Sequence, residues 1–296
     1  MQDSPVPLPA APKRPGVRCR RMTDADAGPL SALLARGFPQ RDAASWAAVL
    51  ALLSAYAAGN GLPAPGLVLE SAGELVGVLL AILRPQALGP ARCNLSSWYV
   101  EPDFRSYAPL LVAAATRDKS VTYVNISSQR HTRPTIEAQG FRRYADGVFF
   151  CAPLAALHAP RRVRVVEGEP PAGVAVDPAD LAVMRDHAPF DCLPVWCVAD
   201  GRAHPFLFLR RSVAGGRVPV AHVVYCRDTA DLARFARPLG RFLARRGMLA
   251  MMVDANAPLP GLPGRFLAGR MPKYAKGLDT PRLGDLSYTE APLFGS

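Results

Sequence analysis

The sequence predicts an α/β protein of two tandem units, each a mixed, mostly antiparallel sheet flanked by helices. Three observations predict it. Apolar residues recur with the two-residue period of strands in some stretches and the helical period in others. The first half reads β-α-α-β-β-β-α-β-α-β-β, in which hairpins feed a strand–helix–strand crossover. Part of that layout then recurs in the second half.

The elements follow in order. Residues 1–16 hold five prolines and no apolar period, which reads as a disordered leader. A strand over 17–21 precedes Thr23 and Asp26, whose oxygens can cap a helix striped with Leu30, Leu33 and Leu34. The next helix, over 42–58, puts Trp46, Val49, Leu50 and Leu53 on one face. Strands 66–70 and 75–83 are joined by a hairpin at Ala72 and Gly73. Strand 92–100 passes Glu101 and Pro102 into a helix carrying Leu110, Leu111 and Ala114. Strand 120–127, a helix over 134–139 stopped by Gly140, and two strands around Phe141 and Val148 complete the half.

The repeat is checked by sliding one half along the other. Arg105, Pro109 and Leu110 recur as Arg234, Pro238 and Leu239, and the same shift lays Val124 on Val253 and Asn125 on Asp254. One residue further, Arg143-Tyr-Ala-Asp-Gly147 meets Lys273-Tyr-Ala-Lys-Gly277. Near-constant spacing implies a duplication, with one unit over 17–155, a second over 162–296 including its tail, and a boundary near 158–160. Residues 284–290 read as an added edge strand.

Of 296 residues, 50% are hydrophobic and 20% charged, which excludes a chain disordered from end to end. Lys and Arg number 35 against 24 Asp and Glu, a net charge of +11 that invites an anionic partner. The excess is spread over both halves and basic residues never run more than two together, so no nucleic-acid patch stands out; tRNA stays open. The longest apolar run, 75–83, falls short of the roughly 18 residues of a membrane span, and no signal peptide is visible, which makes a cytoplasmic location the default. Six cysteines lack a C-x-x-C pair or histidines at zinc spacing, so we expect free, buried thiols and no metal.

The segment 95–111 carries the chemistry. It joins a strand to a helix through a turn whose amides would face an anion at the helix N-terminus, a seat for a diphosphate. Asn94, Ser96 and Trp98 share one strand face, Ser97 and Tyr99 the other. Val100, Pro102 and Arg105 in this setting resemble the Val-x-Pro-x-x-Arg acyl-CoA motif of the GNAT superfamily of N-acyltransferases, and Gly140-Phe141 resembles the Gly-Phe that closes that family's next helix. The resemblance covers about 17–155 and, through the repeat, reaches the second half: a tandem GNAT.

The resemblance implies acyl-CoA, acetyl-CoA or longer, held by Trp98, Tyr99, Val100, Arg105, Ser106, Tyr107, Ala108, Asn125 and Ser127. It implies Asn94 and Ser96 holding a proton-relay water, and His131 standing in for the usual acid, whose place Ile136 occupies. Pro109 and Leu110 replace small residues of the motif, and the second unit departs further, which assigns cofactor binding to the first. Implied with it are acyl transfer to an amine or hydroxyl and a small-molecule or glycan-precursor acceptor, such as a sugar or cell-envelope precursor. Two alternatives remain: an aminoacyl-tRNA-dependent transferase, and a non-catalytic binding or scaffold protein. His187, His204 and His222 have no partner at a recognisable spacing and are given no chemistry.

Overall fold

The computed structural model describes residues 16–295 apart from 86–88, 158–159, 161 and 214. The leader reading for 1–16, but for Gly16, and most of the boundary at 158–160 lie outside the described residues. The first half runs β1 (Arg18–Arg21), α1 (Ala27–Gly37), α2 (Ala43–Gly59), β2 (Gly66–Ser71), β3 (Glu74–Leu83), β4 (Arg92–Val100), α3 (Ala108–Ala115), β5 (Thr122–Asn125), α4 (Arg133–Ala138) and β6 (Arg142–Cys151). The second runs β7 (Arg164–Glu167), α5 (Pro178–His187), β8 (Cys192–Ala199), β9 (Arg202–Val213), β10 (Val218–Cys226), α6 (Thr229–Arg234), α7 (Ala236–Ala244), β11 (Ala250–Ala255), β12 (Gly264–Lys276) and α8 (Glu290–Leu293).

Local chemistry fixes the helix starts. The Asp42 carboxylate accepts the Ser45 N–H at 2.7 Å and opens α2, and Asp177 and Asp228 do the same for α5 and α6. Asp26 accepts the Thr23 N–H and a forked Arg20 guanidinium at 2.7 and 2.8 Å. Helices α1 and α2 bury Leu30, Leu33, Leu34, Trp46, Leu50 and Leu53 against Val68, Val78 and Leu80 of the sheet. Each such side chain contributes on the order of 2 kcal/mol by leaving water. Leu111 and Ile136, from α3 and α4, cover the opposite face with Leu69 and Leu79.

The described strands form one sheet in the order β1-β2-β3-β4-β5-β12-β6-β11-β10-β9-β8-β7. The two units exchange strands at its centre. β12 of the second half lies between β5 and β6, and β6 of the first lies between β12 and β11. The sequence reading expected two strands after Gly140. One strand of ten residues is found, because the neighbour it needs comes from the other half of the chain. The exchange brings backbones so close that a Cβ on Gly147 would run into the Leu267 carbonyl, and one on Gly264 into that of Phe150. Residues 284–290 likewise form no edge strand: beyond a single bridge between Tyr225 and Asp285 they cross the face of the sheet toward β4.

All six cysteines are free, and five of them are buried as small apolar groups. No helix among the described residues is long and apolar enough to cross a membrane.

Candidate functional site

Parallel strands β4 and β5 pair over only three positions, Arg92, Cys93 and Asn94 against Thr122, Tyr123 and Val124. Beyond them the strands part. Ser97 takes φ 48° and the register against β3 slips between Val78 and Leu80, a bulge that bends β4 away. At the fork, the Asn94 amide donates to Val124 O at 3.3 Å and the Asn125 amide donates to Leu95 O at 3.2 Å. The opening is a cavity of about 270 Å³. Trp98, Tyr99, Arg105, Asn125, Ser127 and His131 line it, as the sequence predicts, together with Ser97 and Thr132. Trp98 Nε1, Asn125 Oδ1 and Ser128 Oγ are buried there with no partner among the described residues.

Four of the residues assigned to the cofactor do not line the split. Val100 is buried in the core beneath α3, and Ser106, Tyr107 and Ala108 belong to the partly exposed turn that follows and do not line the cavity. Without glycines to open it, 102–107 winds into a 3₁₀ helix. The Phe104 N–H donates to Glu101 O at 2.9 Å and the Ala108 N–H to Arg105 O, while Pro109 has no N–H to offer. The expected seat of backbone amides is spent on the turn itself. The side chains of Arg105 and His131 line the cavity at this end.

A second cavity, of about 190 Å³, meets the split at Phe38, Ser97, Ser127 and Gln129. Ser96 and Glu290 line it. Glu290 is 1% exposed and both its oxygens lack a partner among the described residues. Burial pushes its carboxyl up to about 7; the Ser127 hydroxyl, close but not aligned for a full hydrogen bond, and the charges of Lys273 and Arg211 pull the other way.

The tail that delivers Glu290 is pinned at every step. Arg92 donates to the Asp285 carboxylate at 3.1 Å and to Ser287 O at 2.7 Å. Burial would raise the Asp285 carboxyl, and the Arg92 charge and hydrogen bond outweigh it, bringing it to about 2. His187 Nε2 accepts the Tyr288 N–H at 2.9 Å, and Asn94 Oδ1 accepts the Glu290 N–H at 2.8 Å. Asn94 therefore positions the tail instead of relaying a proton, since both ends of its amide are engaged. Beyond Glu290, Arg41 donates to the Phe294 and Gly295 carbonyls at 2.6 and 2.8 Å.

Glu290 escaped the sequence reading because nothing near it in the chain pairs with it. The signal available was a lone carboxylate ahead of Ala291, Pro292, Leu293 and Phe294, an expensive group to bury.

No family model and no curated protein matches the sequence. Solved structures do match the architecture. A GCN5-related N-acetyltransferase from Anabaena variabilis superimposes with a TM-score of 0.56 at 8% identity, over 88% of this chain and 72% of that one. A probable N-acyltransferase from Enterococcus faecalis gives 0.55 at 11% identity, over 92% and 74%. Eis1 from Mycobacterium abscessus gives 0.53 at 13% identity, over 89% and 74%. The chain has the GNAT fold.

Within that fold the second unit repeats the split in outline only. β10 and β11 pair in parallel over three positions, and β10 carries its own bulge between Val223 and Tyr225. There the tail moves in: the Cys226 N–H donates to Gly284 O at 2.8 Å and the Leu286 N–H to Val224 O at 2.7 Å. Arg234, the counterpart of Arg105, is held by Asp200 at 2.9 Å, in a cavity walled by Asp177, Asp180, Asp228 and Asp231. His204 Nδ1 sits 3.0 Å from Asp231 there, a partner the sequence did not show. Between the two splits, Lys273 Nζ lies 3.4 Å from Asp254 Oδ1, both fully buried, with His222 kept neutral nearby because burial lowers it to about 3.

Proposed function

We propose that the protein is an acyl-CoA-dependent acyltransferase that works through its first unit, 17–155, on an amine acceptor, with the degenerate second unit, 162–296, lending the base. The observation that carries the reading is Glu290: a buried carboxyl raised to about 7, on a residue that lines the cavity adjoining the β4–β5 split. GNAT-fold structures in the comparison are named as N-acetyl- or N-acyltransferases, and the two cavities here have the places such a reaction needs.

The split fits an acyl-CoA arm on the count of Asn125, Ser128 and Trp98, whose unpartnered polar atoms face it. It does not fit on backbone amides at the diphosphate end, where Arg105 and His131 substitute. The bulge at Ser97 leaves peptide groups out of the β3–β4 ladder, available to a thioester carbonyl. The acceptor nitrogen forms a bond to the thioester carbon as the carbon–sulfur bond breaks. Glu290 takes the proton the nitrogen sheds, directly or through Ser127, and the departing thiolate is protonated from His131 or solvent. A carboxylate titrating near 7 is suited to take a proton from an attacking amine near neutral pH. The acceptor is a small molecule or glycan precursor, and the free thiols go with a reducing, cytoplasmic location.

Glu290→Gln keeps the shape of the cavity and removes the base. We expect CoA release from acetyl-CoA to fall by about 10²–10⁴-fold while acetyl-CoA still raises the melting temperature. A melting temperature unmoved by acetyl-CoA and longer acyl-CoAs, in wild type and variant alike, supports a non-catalytic scaffold instead.

A further inference from the structure

The face of the sheet under the tail holds a buried charge pair that belongs to the degenerate unit. Lys273 of β12 and Asp254 of β11 are each 1% exposed; Lys273 Nζ lies 3.4 Å from Asp254 Oδ1 and donates to Met271 O at 2.9 Å. Asp254 stands at the repeat position of Asn125, which lines the first split, and Lys273 at that of Arg143, which is exposed beside Glu137. The ladder sets Lys273 opposite Ala145, and residues opposite each other point to one face. Ala145 packs in one core cluster with Tyr288 and Ala291, tail residues on either side of Glu290. The backbone of Glu290 is anchored close by: Asn94 Oδ1 accepts its N–H, the Asn94 amide donates to Val124 O, and Val124 pairs with Ala275, two residues from Lys273.

Lys273 on β12 and Arg211 on β9 act on the Glu290 carboxyl with positive charge, and the Ser127 hydroxyl just past β5 lies close. His222 on β10 feels both cations, and Asp254 on β11 feels Lys273. Arg41, from the turn before α2, is taken up by the Phe294 and Gly295 carbonyls. Both Glu290 oxygens lack an aligned donor among the described residues, so its ionised form depends on nearby charge. Of the two cations that act on it, Lys273 is the one sealed from solvent, where a charge is screened least. We infer that Lys273, held by Asp254, is a positioning residue for the acyl transfer: the second unit supplies both Glu290 and the counter-charge against which it ionises. Without Lys273 the carboxylate loses an attractive charge and the carboxyl keeps its proton to higher pH. Without the Asp254 charge the ammonium acts on Glu290 undivided, and the proton leaves at lower pH. This inference rests on Glu290 as the base, and a direct titration of its carboxyl separates the two.

The test follows the Glu290 carboxyl across pH as the infrared difference between each full-length protein and its Glu290→Gln form, and CoA release from acetyl-CoA with ethanolamine or glucosamine over the same range. In wild type the midpoint is at about 7. We expect Lys273→Met to raise it by about one pH unit, which leaves about a fifth of wild-type turnover at pH 7 and restores it at high pH, where a merely structural defect would persist. Lys273→Arg keeps the charge and stays close to wild type, and Asp254→Asn lowers the midpoint. Because Lys273→Met leaves Asp254 buried alone at a cost in stability, the double variant Lys273→Met/Asp254→Asn, which buries neither charge, carries the same test and should also raise the midpoint. A midpoint unmoved in folded Lys273→Met and in the double variant, one raised as far in Lys273→Arg as in Lys273→Met, or one raised in Asp254→Asn, overturns the inference. Midpoints that move as stated while the pH limb of CoA release does not follow them overturn Glu290 as the base and leave the charge coupling standing. An unmoved midpoint, with a rate limb that Glu290→Gln still abolishes, overturns the inference and leaves the base in place.

Discussion

The two halves of this chain contain the same device in two conditions. In the first, β4 and β5 part after three pairs and the gap stays open, lined by Asn125 and Ser128, whose Oδ1 and Oγ have no partner among the described residues. In the second, β10 and β11 part after three pairs, and Gly284 and Leu286 of the tail close over the bulge. Arg105 lines a cavity that holds no carboxylate, whereas its counterpart Arg234 pairs with Asp200 in a cavity that also holds Asp177, Asp180, Asp228 and Asp231 beside Arg202 and Arg227. Duplication thus leaves one half its opening and turns the other into a support. The segment that closes the second split goes on to place Glu290 beside the cavity that adjoins the first.

The largest expected effect is on rate. In wild type, kcat/KM with acetyl-CoA rises with pH through about 7 and is flat above, because Glu290 must be ionised to take a proton. In Glu290→Gln the rate is about 10²–10⁴-fold lower and that limb is absent. An identical limb in the variant places the base elsewhere.

Next in size is the tether. Arg92→Leu removes the buried partner of the Asp285 carboxylate, leaving the half-exposed Arg282 at 3.5 Å, and should destabilise the fold by up to about 3–5 kcal/mol in a urea melt, because breaking a buried pair leaves a poorly compensated charge. Loss of turnover should accompany it, as the tail loosens. A variant of wild-type stability would show that the tail is held by its other contacts alone.

Glu290 also leaves a mark on stability. A carboxyl whose folded-state pKa is raised binds protons more tightly folded than unfolded, so stability is lost as pH climbs from about 4.5 to about 7. Glu290→Gln removes that loss. The variant should be more stable than wild type by on the order of 3 kcal/mol above pH 8 and indistinguishable from it below pH 4. Opposite effects on activity and stability from one substitution are the signature of a group kept for chemistry.

The smallest effect concerns the exchanged strands. Gly147→Ala pushes a methyl group into the Leu267 carbonyl and should cost about 1–3 kcal/mol, whereas Gly73→Ala, in an open hairpin turn, meets no neighbour and loses only the ease of its positive φ. Equal melting shifts for the two would mean that β6 and β12 tolerate separation.

Much of this was legible in the sequence, and the reasons for the remainder are specific. Local signals held where a few neighbouring residues decide the structure: the Ala72–Gly73 hairpin, the helix striped with Leu30, Leu33 and Leu34, and the helix that puts Trp46, Val49, Leu50 and Leu53 on one face. Six of the residues that the Val100–Pro102–Arg105 resemblance singles out line one cavity at the split. The strand exchange was not legible, because β6 and β12 pair across more than a hundred residues and each looks locally like half of a hairpin. The 3₁₀ turn at 102–107 follows from residues that cannot take the glycine conformations of the motif, a departure visible in the sequence whose geometric outcome was not. Glu290 and Arg41 were invisible because burial and charge pairing are properties of folded neighbours, and theirs lie on the far side of the chain.

Titration calorimetry with CoA tests the central contrast most directly. One open split and one filled split predict one molecule bound per chain, about tenfold weaker in Arg105→Ala through loss of a charge-assisted contact and unchanged in Arg234→Ala. Two molecules per chain, or weakening by Arg234→Ala with Arg105→Ala unaffected, would contradict the account.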